Sequence, residues 1–390
     1  MDGIASLHIE ILTTRERIEQ LRSFWDSCAP CRDADLDFFL FITELFSETE
    51  RPHVVVLYEH GTPRAVLIAR LDRVKPAVRL GYHQLAMPTL RVLNVVHGGW
   101  LGDITGDNAK LLTERLMLAL DRGEADAVFF HAPPTDAALS EYARHAPRWW
   151  QADHAINAQT RRVRDLPERG VPFSKSLSQN ERYQQRKRAR ILSENFKSVA
   201  ILHYQTAADI DRLIDDAERI AATSYQRRLN VGFAPTAVVR ARLEFEAARG
   251  WLRGSVLYLD ERPAAFWIGS LRNGTFLSEY LSFDAAFSDY APGLYLIMAT
   301  LESLHENESS NHARVIDFGI GDAPYKERLA TRHWQEANIY IFASRPKPLM
   351  VNGARWLAGT FNRAAKHLMA HADWLKSAKR KWRSGARQSK

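Results

Sequence analysis

Four stretches of this sequence combine residue types and spacings suited to chemistry. The first is FLSEYLSF, residues 276–283. It reads as a strand, and alternation puts Glu279, Leu281 and Phe283 on one face and Ser278, Tyr280 and Ser282 on the other. Glu279 is a carboxylate among apolar neighbours, a candidate general base; an exposed edge charge is the competing reading. Tyr280 is either an acid toward a leaving group or a packing ring. The second is Pro292-Gly293, which opens a helix directly after a strand and loop, between Tyr290 and Leu294. Proline fits a first helical turn, glycine leaves room, and free N–H groups with the helix dipole make an anion site. A plain proline-initiated helix has the same signature. The third is IDFGIGDAPYKERLA, residues 316–330. Asp317 ends a short apolar strand ahead of Gly319 and Gly321, where charges face ligand crevices in α/β sheets. It is equally placed to cap the next helix, and Asp284 has the same ambiguity. Tyr325-Lys326 follow; a lysine here neutralises a phosphate or a developing oxyanion, or is a solvated surface charge. The fourth is the stripe Arg182, Arg186 and Arg190, stepping by four along one helix. It suits an anionic acceptor or phosphates, or is a solvated face balanced by Glu181 and Glu194.

These residues sit in the second copy of a repeated pattern. Residues 56–71, VLYEHGTPRAVLIARL, align without a gap with residues 256–271, VLYLDERPAAFWIGSL, and seven of sixteen positions match. Each reads as strand, polar turn, strand. Two helical stretches precede each hairpin, 15–28 and 35–46 in the first half, 208–225 and 235–249 in the second. A strand follows (92–96; 276–283), then a helix (109–121; 293–305), then a short strand (127–130; 314–318). The repeated order α-α-β-β-β-α-β implies a duplicated α/β domain, each copy a mixed, mostly antiparallel sheet flanked by helices. The expected boundaries are 1–165, 176–345 and a basic amphipathic tail at 346–390. The linker DLPERGVPFSKSLS, residues 165–178, feeds a helix to about residue 195 whose start, Ser178-Gln179-Asn180-Glu181, has capping-box spacing. A strand at 338–343 closes the pattern, so everything after residue 346 is expected to lie outside it.

Composition narrows the class. The chain has 390 residues, enough for two separate cores. No apolar run approaches the ~20 residues of a membrane helix, and the first residues lack a basic segment followed by an apolar one, so a cytoplasmic protein is expected. The formal net charge is +7, yet residues 346–390 hold eleven Lys/Arg and one Asp, so the rest is slightly acidic. Basic character therefore belongs to the tail, where Trp356, Phe361, Trp374 and Trp382 alternate with cations. Such a segment lies on an anionic membrane, covers a domain or contacts RNA; a general nucleic-acid-binding body is not expected. Cys28 and Cys31, the only cysteines, read as reduced structural thiols. His97-Gly98-Gly99 and His131 have no Cys or carboxylate partner at metal spacing and read as structural, with no metal expected.

The basic helix, FDAAFSDYAPG at 283–293 and IDFGIGDAPYKERLA at 316–330 occur in an order that resembles the cellulose-biosynthesis-associated (CelD/BcsL) group of GNAT acyltransferases. The resemblance covers roughly residues 176–343; the first half matches only as a diverged copy. Fem-type peptidoglycan aminoacyl ligases share the tandem arrangement and a late aromatic-Lys motif. The resemblance implies an N-acyltransferase of tandem GNAT-like fold. Acetyl-CoA or another acyl-CoA is the co-substrate, attacked directly by the amine of a small molecule or polysaccharide precursor. Glu279, Tyr280, Asp317 and Lys326 would be catalytic, Tyr290, Pro292, Gly293, Leu294 and Tyr325 would hold the donor, and Arg182, Arg186 and Arg190 the acceptor. The usual Q/R-x-x-G-x-G/A pyrophosphate loop is absent, and DYAPG, residues 289–293, stands in its place. In the first half the matching positions are DITGD (103–107), whose aspartates repel a pyrophosphate, and FHAPPTDAA (130–138), which lacks the glycine pair and the lysine. That copy is expected to shape structure or acceptor binding without a donor site. Two rivals remain: an aminoacyl-tRNA donor, and a non-catalytic module that binds an anionic surface.

Overall fold

The computed structural model describes residues 7–81, 83–224, 232–306 and 312–371, with side chains to residue 365. The strands are β1 (Leu7–Leu12), β2 (Thr49–Glu59), β3 (Thr62–Val74), β4 (Val78–Leu80), β5 (His83–Leu85), β6 (Leu90–Gly102), β7 (Ala127–Phe130), β8 (Ala158–Asp165), β9 (Val199–Tyr204), β10 (Leu252–Leu259), β11 (Arg262–Arg272), β12 (Thr275–Phe283), β13 (Val315–Ile320), β14 (Arg332–Ala337) and β15 (Ile339–Phe342). The chain divides into two compact units. One is Met1–Ala158 with Glu336–Lys390, the other Gln159–Gln335.

The first unit is a six-stranded sheet, β1-β2-β3-β6-β7-β15, antiparallel except between β6 and β7. Val54, Val56, Val66 and Ile68 meet helices Arg15–Glu19, Arg22–Ser27 and Leu36–Leu45, while Val55, Leu57, Ala65 and Leu67 meet helix Gly106–Asp121. Burial on both faces explains why β2 and β3 read as continuous apolar runs without alternation. His53 lies in β2 fully buried, its Nδ1 3.1 Å from Arg51 Nη1 and its Nε2 without a partner among the described residues. Burial, aided by Arg51 and Arg115, pushes its pKa down from 6.5 to about 4. The unfolded chain protonates this group first, so stability falls as pH drops from 6.5 to 4 and the effect is complete below that. The loss is expected to be about 3 kcal/mol. Urea unfolding between pH 7 and 4 reads it, and His53→Phe should flatten that acid limb.

The second unit is a seven-stranded sheet, β14-β8-β13-β12-β11-β10-β9, with one parallel pair, β12 and β13. Helices Ile210–Thr223 and Ala237–Ala248 cover one face through Leu213, Ala217, Ile220 and Leu243. Helices Gln179–Asn195, Pro292–Glu306 and Pro324–Leu329 cover the other through Leu192, Leu296, Leu301 and Leu329. Two tandem α/β domains, each a mixed sheet between helices, are thus the architecture, with a C-terminal helix, Pro346–His371.

The repeat holds at the level of register. Leu57 faces Ala65 and Tyr58 faces Pro63; Leu257 faces Ala265 and Tyr258 faces Pro263, with the same bulge in both hairpins. Both turns place two residues at positive φ, His60-Gly61 and Asp260-Glu261, the twist that a tight hairpin requires.

The boundaries differ from those drawn on sequence. β8, from the end of the first half, lies in the second sheet, and β15, from the end of the second half, lies in the first. Residues 336–345 therefore leave the second domain. The tail also starts inside the first unit: Val351 is fully buried, and Asn352 Nδ2 donates to the Trp150 and Ala152 carbonyls at 3.0 and 2.9 Å. Arg355 pairs with Asp153 at 2.9 Å. The start of the tail lies outside the repeated pattern, as expected from sequence, yet packs within the first unit. The tail residues Trp374 and Trp382 lie outside the described residues.

Candidate functional site in the second unit

The parallel pairing of β12 and β13 is short: Thr275 faces Val315, Phe276 faces Ile316, Leu277 faces Asp317, and there it stops. Beyond that point β12 continues against β11 alone. The register shifts between Ile268 and Gly269, which face Tyr280 and Ser278, so Glu279 is the extra residue of a β-bulge. Gly269 is required opposite it, because a Cβ there would overlap the Leu277 carbonyl and the Phe276 ring.

The bulge corrects the alternation read from sequence. Ser278 accepts from Trp267 Nε1 at 2.8 Å on one face. Glu279 and Tyr280 both turn to the face covered by helix Ala237–Ala248. Both Glu279 oxygens accept from Arg242 Nη2 at 2.5 Å, and the Tyr280 ring packs edge-on against Phe233 at 5.4 Å. The Glu279 carboxylate is thus balanced by a guanidinium that sequence reasoning missed. Arg242 sits one turn before the buried Glu246 on a helix with no periodic signal aimed at β12.

Pro292 and Gly293 are buried at the start of their helix, after Ala291 in the left-handed region (φ 50°). Leu294 and Tyr295 donate their N–H groups back to the Ala291 carbonyl at 3.1 and 3.2 Å. Proline has no N–H, so the Gly293 N–H remains, with no acceptor among the described residues. The first N–H groups of a helix have no partner within it, and at Gly293 the small residue leaves room for a bound anion to accept from one. Phe283, 44% exposed, lies against Gly293. Tyr290 packs on Phe196, 4.9 Å between ring centres, which ties this helix start to the end of the basic helix. Asp284 caps the turn after β12, accepting from the Ala286 N–H at 3.0 Å.

Asp317 is neither a free carboxylate nor a helix cap. It is buried and accepts from Arg161 Nε and Nη2 at 2.5 to 3.1 Å and from the Gly319 N–H at 2.8 Å. Arg161 comes from β8, whose sequence TRRVRD, residues 160–165, carries three arginines that the linker-edge reading passed over. Lys326 Nζ donates to the Ile320 carbonyl at 2.8 Å, and no carboxylate pairs with it within 4 Å among the described residues. Burial pulls its pKa below the usual lysine value; Asp317 opposes that, while Arg161 and Arg162 add to it. Tyr325 packs edge-on against Phe318, and burial pushes its hydroxyl up to about 12. Tyr290, Leu294 and Tyr325 all border one core. The helix start and the Asp317–Lys326 segment therefore lie on the same side of the sheet, the side opposite Glu279.

The arginine stripe stands apart. Arg182 and Arg186 line a cleft of about 460 Å³ with Phe173, Leu177, Met298 and Glu302. Glu302 is ten residues into its helix, so this cleft lies roughly 15 Å along the axis from Pro292. Arg190 pairs instead with Glu194 at 3.5 Å on an exposed face. The capping box formed by Ser178 and Glu181 is present as read from sequence.

In the first unit, the helix that matches Pro292–Glu306 begins after Asp103, whose carboxylate accepts from Arg64 at 2.8 and 3.0 Å and from Thr105. His97 Nε2 is 3.7 Å from Glu336 Oε2 and its Nδ1 is 4.0 Å from Asp33 Oδ2, carboxylate neighbours too distant in sequence for spacing to reveal. Among the described residues no group of three His, Cys, Asp or Glu side chains is arranged to hold a metal ion. Cys28 and Cys31 are free thiols.

The acetyltransferase (GNAT) domain family model matches residues 179–327. No curated protein sequence matches the chain at a significant level. Among solved structures, the chain is similar to FemX, with TM-score 0.56 and 10% identity over 88% of this chain and 100% of that one. It is also similar to a tandem GNAT protein from the clavulanic acid biosynthesis pathway, solved without AcCoA, with TM-score 0.54 and 13% identity over 87% and 99%. At such identities the likeness is one of fold.

Proposed function

We propose that the second unit transfers an acyl group from acyl-CoA to an amine, in the manner of the cellulose-biosynthesis-associated acyltransferases that its sequence resembles. The observation that carries this is the Gly293 N–H, without an acceptor among the described residues, at a helix start in a segment that the acetyltransferase (GNAT) domain family model matches, with the β12–β13 pairing ending after Leu277 and Asp317. When bound, acyl-CoA supplies a thioester whose carbonyl carbon the amine attacks. Gly293 and the dipole of its helix would hold the donor's phosphates, flanked by Tyr290, Leu294 and Tyr325. Lys326, half-buried and with no carboxylate within 4 Å among the described residues, would face developing negative charge. Asp317 is a positioning residue: by fixing Arg161 and the Gly319 N–H it holds the turn from which Lys326 projects. Glu279 remains the proposed base for the amine, with Arg242 holding its charge until the acceptor's ammonium competes for it, and Tyr280 supports it by packing. Arg182 and Arg186 would seat the anionic part of an acceptor, such as a small molecule or polysaccharide precursor; Arg190 would extend their stripe. No helix among the described residues is long and apolar enough to cross a membrane, in keeping with a cytoplasmic site of action.

The FemX-like fold favours a second reading, in which the acyl group comes from aminoacyl-tRNA. Isothermal titration separates the two. One CoA site per chain is expected, because Asp103 guards the matching helix start in the first unit. Two equal CoA sites, or tRNA binding without any CoA binding, overturns this reading.

A further inference from the structure

The first unit exposes an unusual amount of aromatic and aliphatic surface in one region. Trp149 is 67% exposed although its ring contacts His154 (4.7 Å) and Trp356 (6.3 Å). Trp150 and Trp356 are 46% and 41% exposed. On the helix Pro346–His371, Leu357 (64%) follows Trp356 directly. Met350 and Phe361, each 56% exposed, fall seven residues before and four after Leu357, on the same stripe. Isolated exposed apolar residues are ordinary, but a run of this size marks a binding surface.

Charge identifies the partner. Within the first turns of the helix the cations are neutralised inside the unit: Lys347 by Asp126 at 2.7 Å and Arg355 by Asp153 at 2.9 Å. Arg148, whose guanidinium lies over Trp150 at 5.6 Å, and Arg363 have no carboxylate within 4 Å among the described residues. Beyond residue 371 the sequence adds seven Lys/Arg, one Asp, Trp374 and Trp382. Cations without a carboxylate within 4 Å among the described residues thus occur at the ends of the apolar stripe, and the sequence that follows is rich in further Lys, Arg and tryptophan. We propose that this face of the first unit docks on an anionic lipid surface, with Trp149, Trp150 and Trp356 at headgroup depth and Met350, Leu357 and Phe361 in the acyl boundary. Leu357 and Met350 argue against RNA, which offers phosphates and base faces but no medium for aliphatic side chains. Local cations supply attraction to acidic headgroups and the aromatic stripe supplies depth.

The test uses the full chain and extruded vesicles of phosphatidylcholine alone or with about one third phosphatidylglycerol. Co-sedimentation with the anionic vesicles is expected, with a blue shift in tryptophan emission, and little with phosphatidylcholine. Trp149→Ala/Leu357→Ser/Phe361→Ser should weaken partitioning by on the order of tenfold or more while leaving the unfolding midpoint unchanged, because all three side chains are exposed. Absence of vesicle binding overturns the proposal, and so does undiminished binding by the triple variant. A wild-type chain that is dimeric by sedimentation equilibrium but monomeric as the triple variant would assign the face to a second copy. RNA binding lost in the variant, without vesicle binding, would assign it to nucleic acid.

Discussion

Lys326→Met is expected to lose about 2–4 kcal/mol of transition-state stabilisation, a fall in kcat/KM on the order of 30- to 1,000-fold. The reason is local. The ammonium is half-buried, donates to one neutral carbonyl, and has no carboxylate within 4 Å among the described residues, with Asp317 and Asp322 acting on it only from farther off, so an incoming negative group can pair with it directly. Lys326→Arg keeps the charge and should retain part of the activity. Stability should change by at most about 1 kcal/mol in either variant, since one hydrogen bond from a turn is at stake. The pH profile adds an independent reading. If the charged form acts, activity falls as pH rises through a lysine pKa that burial has lowered, so the alkaline limb of kcat/KM lies below that of an ordinary lysine. In Lys326→Arg that limb should vanish. Steady-state kinetics beside thermal unfolding check both; an unchanged kcat/KM in Lys326→Met would place this lysine outside the chemistry.

The second large effect concerns stability. Asp317→Asn removes one counter-charge from the buried Arg161 guanidinium, and Arg161→Met takes from the buried Asp317 carboxylate the guanidinium that it accepts from, leaving it the Gly319 N–H among its hydrogen bonds. Arg161→Met is expected to cost about 3–5 kcal/mol, the consequence of leaving the Asp317 carboxylate buried without its guanidinium, and Asp317→Asn to cost less than that. In a unit of this size that lowers the unfolding midpoint by on the order of 10 °C. Removing both charges together, Arg161→Met with Asp317→Leu, should be less harmful than Arg161→Met alone. Differential scanning calorimetry of the four proteins completes the cycle. Additive losses would show that the two groups do not depend on one another. Activity in the double variant reports separately on whether the turn that carries Lys326 is still held.

Which parts of this were readable beforehand follows from the range of the interactions involved. The hairpin repeat was visible because turn chemistry and apolar runs are local; the shared bulge at Tyr58 and Tyr258 carries the same Pro63 and Pro263 in both copies. The Ser178 capping box was visible for the same reason. Glu279 was misplaced because alternation has no memory of a bulge. The available sign was Gly269 on the facing strand, and its meaning depends on a pairing that sequence does not declare. Arg161 and Arg242 were missed because each meets its carboxylate across a long stretch of chain, 156 and 37 residues away. The exchange of β8 and β15 had no local sign either. A strand encodes which of its faces is apolar, and says nothing of which sheet edge receives it.

That exchange has a consequence for the order in which the protein is made. The ribosome releases residues 1–158 first, yet the sheet they build lacks the strand at its β7 edge until Ile339–Phe342 has emerged. Residues 159–335 form a single uninterrupted piece and have every strand of their sheet soon after it leaves the tunnel. The later-encoded unit is therefore ready to finish first. The nascent amino-terminal piece waits meanwhile with the β7 edge unpaired, and Val351 of the closing helix is not yet there to cover Leu90 and Val92. Such an edge is a template for pairing with another chain. Anything that pauses translation between residues 158 and 339 prolongs that exposure, so the vulnerable species in the life of this protein is a partly synthesised one.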